Sequence, residues 1–297
     1  MVIKKPIKKI TSVIFHLLFL IVTFIWVYPL IWTISSSFKT NRELFSGTLS
    51  LFPKGFKWEY LLPNNWSKLG EVFHLSNYVK AWSIANFDQY LINSLLFSFL
   101  VVAIVIILCS ITGYVLGRYS FPGKKIFMGA IVATMFLPAG YTIIPVWQLI
   151  NAIGINESLA GLVLAEAGGT HVLYILLFTA YFRGIPKELE EASKIDGAGF
   201  IQTFIKIMLP MAKPVIASTF ILEFVNAWNS FFIPLIFTIH RPDLRTIGVG
   251  MYSFVEDNAS ELAGMAAGAT ISFIPIVLVF LFFQKYFVDG IAGAVKG

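Results

Sequence analysis

The sequence predicts an all-α integral membrane protein with six transmembrane helices and a charged cytoplasmic helix between the fourth and fifth. Three observations predict it. Of 297 residues, 57% are hydrophobic and only 13% charged, and the mean hydropathy is +0.79. A soluble domain of this size has too little interior to cover that much apolar surface. Six apolar runs also reach bilayer length, about 20 residues at ~1.5 Å rise each. Finally, Lys and Arg are concentrated in alternate connections between those runs.

The first run, Thr11–Ile34, follows the lysine-rich MVIKKPIKKI. Lysines ahead of a greasy stretch resemble a secretory leader. The run exceeds a leader's apolar core, and no A-x-A cleavage site follows, so it is read as a retained span. The others are Tyr90–Leu116, Ile126–Ile150, Leu159–Phe182, Val215–Ile239 and Leu262–Phe283. Lipid leaves only helices and closed barrels with a satisfied backbone, and continuous runs without alternation are helices. Pro138 and Pro145, Pro234 and Pro275 mark kink positions in the third, fifth and sixth. Segment 35–89, rich in Pro, Trp, Asn and Lys, is expected to form a small, partly ordered extracytoplasmic cap. The organisation is therefore an N-terminus at 1–10, a first span at 11–34, the cap, a transmembrane core at 90–286 and a tail at 287–297.

Charge sets the orientation. Segments 1–10, 117–125, 183–214 and 284–297 hold 14 of the 22 Lys and Arg residues. Cytoplasmic loops carry such an excess, and long loops weigh little in this rule. Both termini are thus expected in the cytoplasm of a multi-pass cell-membrane protein. The same rule accounts for the net charge of +6 without nucleic acid. The lone Cys109 sits in an apolar run and reads as a small hydrophobe.

The charge peaks in KELEEASKID at 187–196, where six of ten residues are charged. Pro186 suits a helix start. Glu188, Glu190 and Glu191 complement the positive end of the helix dipole. Gly197 suits a left-handed stop. A second amphipathic stretch, Phe200–Met208, is expected to end at Leu209-Pro210. This predicts an exposed helix–turn–helix within 183–214. An ordinary solvated loop is the competing reading.

Glu191-Ala192-Ser193, three residues, Gly197, nine residues, Ile207-x-Leu209-Pro210 resembles the signature of permease subunits of ABC importers, with Ser193 in place of the second alanine. Further stretches resemble the second permease of the maltose-type carbohydrate importers. They include Pro29-Leu30-Ile31-Trp32, Asn93-Ser94-Leu95, Gly113-Tyr114, Phe121-Pro122-Gly123, Ala227-Trp228-Asn229 and the C-terminal tail. The resemblance implies an oligosaccharide permease working by alternating access. Its partners would be a second homologous permease, two copies of a cytoplasmic ABC ATPase and an extracytoplasmic solute-binding protein. It assigns ATPase coupling to Glu190, Glu191, Ala192, Ser193, Asp196, Gly197, Ile207, Leu209 and Pro210, and a tail contact to Val295, Lys296 and Gly297.

No G-x-x-x-x-G-K-[ST] loop is present, so ATP and Mg are expected on partner subunits and no cofactor on this chain. The four histidines lack metal-ligand spacing. Thr219, Glu223, Asn226 and Ser230 share one face of the fifth span, with Asn229 adjacent and Trp228 offering a ring for a sugar. Two readings fit this stripe, a substrate pathway or polar glue between helices. Glu166 and His171 read as residues at the outer membrane interface. An ion-coupled secondary transporter would call for midplane carboxylates and internal repeats; only Glu223 qualifies, and no repeat is visible. A membrane enzyme would call for clustered acids at one interface, and the acidic cluster here suits docking. An ABC permease for glycerol phosphate would call for basic residues in the spans, which hold almost none.

Overall fold

The computed structural model describes residues 4–47, 50–84, 86–138, 140–169, 171–257 and 261–295, with side chains from 12 to 285 apart from 84 and 253–257. Among these residues every regular element is helical. In chain order the α-helices are α1 (Lys4–Ser36), α2 (Asn41–Phe45), α3 (Trp66–Val72), α4 (Ser76–Ile84), α5 (Phe87–Arg118), α6 (Lys124–Ala133), α7 (Ile143–Ala152), α8 (Leu159–Ala167), α9 (Val172–Gly184), α10 (Lys187–Ile195), α11 (Phe200–Thr203), α12 (Leu209–Met211), α13 (Lys213–Trp228), α14 (Phe232–Phe237), α15 (Ile247–Asp257) and α16 (Leu262–Val295), with short 3-10 and π turns between them.

Two compact units result. The first comprises 1–87 and 251–273. Its α1 keeps Phe19 and Trp26 bare, as a lipid-facing helix would. The expected cap is a folded element here. Thr40 and Glu43 form a capping box at α2, and Asn77 Nδ2 donates to the Ser37 and Lys39 carbonyls at 2.9 Å each. Phe38, Phe52, Phe56, Trp58, Phe73 and Tyr78 pack ring against ring. Gly268 admits the Phe87 ring, which would lie 2.5 Å from an added Cβ.

The second unit comprises 88–250 and 274–297. Its centre is α5, which buries Phe97, Val101, Val105 and Cys109 at helical spacing. Around it lie Leu162 and Val163 of α8, Phe178 and Phe182 of α9, Phe204 and Met208, and Val215 and Ala227 of α13. Gly113 and Gly117 let α5 approach α9 closely. A Cβ on Gly113 would lie 2.4 Å from Phe178 Cβ, and one on Gly117 2.9 Å from the Thr179 carbonyl. This is a small-xxx-small contact, as membrane helices use.

Three helices among the described residues are long and apolar enough to cross a membrane: Ser12–Ser36, Phe87–Arg118 and Leu262–Lys285. The remaining expected spans are interrupted. Val215–Ile239 is α13 and α14, parted at Asn229–Phe231 because Pro234 cannot close a bond to the Ser230 carbonyl. Leu159–Phe182 is α8 and α9, parted after Gly168-Gly169. Counting α8 with α9, and the helical run Phe200–Met211 with α13, as one bent span each gives five. Ile126–Ile150 falls into α6, a 3-10 turn at Thr134–Phe136 and α7, and neither helix alone has bilayer length. Pro138 and Gly140, with φ +83°, lie in that gap.

Candidate functional site

The charged stretch is built from the residues expected of it. Pro186 precedes α10 with ψ 138°, and α10 runs Lys187–Ile195. Gly197 has φ +79°. Its N–H donates to the Lys194 carbonyl at 3.0 Å, and Ala198 N–H donates to the Ser193 carbonyl at 2.9 Å. These two bonds make a Schellman stop, which a Cβ-free residue at 197 permits. The second arm does not end at Leu209-Pro210. It passes from α11 through a π-helical turn, Phe204–Met208, into α12 and ends at Ala212, where the chain bends by 76° into α13. Pro210 cannot close on the Lys206 carbonyl, and the wider π turn before it accommodates the ring.

Ser193 and Thr203 tie the arms together, their hydroxyls 2.8 Å apart and buried. Glu188, Glu191, Lys194 and Asp196 stay exposed, as does Ala192, and Ile195 is 87% exposed. Glu190 does not belong to that outer surface. Its Oε2 accepts from Arg118 Nε at 2.7 Å and its Oε1 from the Tyr114 hydroxyl at 2.9 Å. Arg118 Nη1 also donates to the Ile185 carbonyl at 2.6 Å and the Phe182 carbonyl at 3.4 Å, and Nη2 to the Pro186 carbonyl at 3.3 Å. Arg118 thus closes the carbonyl end of α9, where a cation suits the helix dipole, while pairing with α10. Burial pushes the Glu190 carboxyl up, but the bonds from Arg118 and Tyr114 and the Arg118 charge pull harder, leaving it below the ordinary carboxylate range. Phe182, Phe200 and Phe204 pack around the Tyr114 ring.

The polar face of the fifth span divides. Thr219 and Glu223 are fully buried, Ser230 is half-buried, and Asn226 and Asn229 are exposed. Trp228 is 3% exposed and stacked on Phe224, so this chain's own core takes up the ring expected to meet a sugar. Glu166 and His171 do not simply sit at an interface. Ser230 Oγ donates to Glu166 Oε2 at 2.8 Å, and His171 Nδ1 lies 3.9 Å from Glu223 Oε2 beside Tyr174 and Asn226. These side chains join the two helix breaks, after Gly168-Gly169 and at 229–231, so Glu223 and Ser230 each contact a neighbouring helix or its flank. Ile207 and Leu209 are partly buried against the core, and Pro210 lies on the outer side. Lys296 and Gly297, and the side chain of Val295, lie outside the described residues.

Three long apolar helices, with one charged helix clamped to the end of a long span, make a helical membrane protein of this chain. Residues 110–293 match the family described as binding-protein-dependent transport system inner membrane component, and the chain belongs to that family. It is 34% identical over 91% of its length to a probable ABC transporter permease, YurM, of Bacillus subtilis (strain 168), covering 84% of that protein. It is 29% identical over 96% of its length to the diacetylchitobiose uptake system permease NgcG of Streptomyces coelicolor, covering 87% of it. Its fold superposes on a chain of a bacterial ABC transporter involved in the import of the acidic polysaccharide alginate, with TM-score 0.77 at 21% identity, covering 97% of this chain and all of that one.

Proposed function

We propose that this chain moves an oligosaccharide across the cell membrane as one of two permeases of an ABC importer, with α10 docked on a cytoplasmic ATPase. The observation that carries the docking is the division of charge on α10. Glu190 is committed inward, and Glu188, Glu191, Lys194 and Asp196 are left outward on a helix fixed at both ends. Such a helix offers charged groups for pairing and Ile195 as an apolar anchor without losing its position. The diacetylchitobiose relative supports the substrate class. The scarcity of basic residues in the spans suits a neutral sugar.

In this reading both termini and α10 lie in the cytoplasm, as the Lys/Arg distribution supports. Segment 126–150 completes six spans as a broken one. The chain binds neither ATP nor Mg, which act on two partner ATPases, and the tail at Val295–Gly297 adds a second contact to them. A solute-binding protein meets the 35–89 cap. Asn226 and Asn229 are the pathway candidates on the fifth span, since they alone of its polar face are exposed.

The test is purification of the tagged chain from native membranes in mild detergent. A Walker-A ATPase should co-purify with the wild type and be lost with Glu191→Lys and Gly197→Asp. If both variants bind the ATPase and transport sugar normally, α10 is only a solvated helix with no docking role.

A further inference from the structure

Arg118 and Tyr114 have no part in the docking surface, yet they make buried polar contacts to both oxygens of Glu190. The charged helix is joined through the chain to α9 on one side and to α13 on the other. The path to α13 is not stiff. The arm toward α13 runs through a π turn and a 76° bend, and α9 is parted from α8. An unbroken helix of bilayer length touches α10 directly, namely α5 with 32 residues. Its Tyr114 and Arg118 stand one turn apart and hold both oxygens of the Glu190 carboxylate. Two attachment points on one helix transmit rotation as well as translation.

The ion-pair side chains are 3% and 9% exposed, so water cannot readily replace either partner. The same guanidinium holds three carbonyls at the end of α9, so α5, α9 and α10 must move together. Gly113 and Gly117, one turn apart just before Arg118, press α5 against α9 and leave no slack between them.

We infer that Arg118, backed by Tyr114, is the positioning residue that delivers displacement of α10 into the membrane through the second span, with α9 carried beside it, rather than through the chain-adjacent fifth. The inference rests on the proposed docking of α10.

The experiment uses the complete importer in proteoliposomes and reads solute uptake and ATP hydrolysis together. Arg118→Met and Glu190→Gln should retain the ATPase and its basal hydrolysis. Uptake per ATP should fall by about tenfold or more, the scale of a lost charge-assisted hydrogen bond. Arg118→Lys keeps the charge without the fork and should fall between. Retained assembly and basal hydrolysis with reduced uptake per ATP is the split that a purely structural role would not predict. Wild-type uptake per ATP in Arg118→Met overturns the inference. If Arg118→Met does not assemble, Tyr114→Phe decides, because it removes one hydroxyl and strands no charge; undiminished coupling there also overturns it. An ATPase absent from the wild-type preparation instead sinks the docking reading itself.

Discussion

Replacing Gly113 by alanine should force α5 away from α9. The added Cβ would lie 2.4 Å from Phe178 Cβ, 2.9 Å from Thr179 N and 3.0 Å from the Phe178 carbonyl carbon. Carbon atoms rest at ~3.5–4.0 Å, so the helices must part by roughly 1 Å. Two of the three obstructing atoms are backbone, which no rotamer change can relieve. That puts the overpacking cost near the upper end of the usual range, about 3 kcal/mol. Alanine's better helix propensity offsets about 1 kcal/mol. The net loss of about 2 kcal/mol should lower the thermal midpoint in detergent by about 4–8 °C. Gly129→Ala is the matched control. Gly129 lies in α6 with nothing within 4 Å of where an added Cβ would sit and no left-handed φ, so the same change should be neutral or slightly stabilising. The assay is thermal unfolding of the purified chain followed by Cys109 labelling, since Cys109 is buried and should react as the core opens. Equal midpoints for Gly113→Ala and wild type would refute the close approach of α5 and α9.

Three further predictions follow from the charged helix. Because Glu190 titrates below the ordinary carboxylate range, its ionised form is favoured by folding. Its stabilisation is complete above the unfolded value of about 4.3 and is lost as pH falls through the depressed folded value. The difference in unfolding midpoint between wild type and Glu190→Gln should therefore be constant from neutral pH to about pH 5 and shrink below that; a difference that persists at low pH would contradict the Arg118 pairing. Gly197→Val should destabilise by about 1–2 kcal/mol through its left-handed φ, and Gly197→Asn by less, as read by the same unfolding assay. Ser193→Ala should cost about 1 kcal/mol by stranding the buried Thr203 hydroxyl, and adding Thr203→Val should recover much of it; strictly additive losses would disprove the bridge between the arms.

What the sequence by itself determined was local in origin. Apolar run length announced α1, α5 and α16 to within a few residues at most ends, though α1 starts as early as Lys4 and α16 runs on to Val295. A helix satisfies its own backbone and needs no partner to be recognised. Pro186, the acidic first turn and Gly197 marked α10 and its stop, because caps and left-handed turns are decided by a handful of adjacent residues. Run length failed where two elements had to be told from one. Leu159–Phe182 and Val215–Ile239 look continuous in hydropathy, and their breaks emerge only with the contacts that satisfy the freed groups. Pro234 pointed to one of them, but a proline permits a kink without fixing its size.

Only the tertiary structure decided the direction in which each charge points. Glu188, Glu190 and Glu191 are indistinguishable as an acidic helix start. Arg118 singles out Glu190 from 72 residues away, and no local pattern carries that distance. Gly113 and Gly117 stand one turn apart on α5, yet nothing near them in the chain says that Phe178 and Thr179 meet them. Likewise Trp228 looked free to stack on a sugar until Phe224 was seen to cover it, and Glu166 looked peripheral until Ser230 met it across 64 residues. Burial and pairing of a polar group depend on which distant segments share its dry pocket, so the fold had to form before these roles could be assigned.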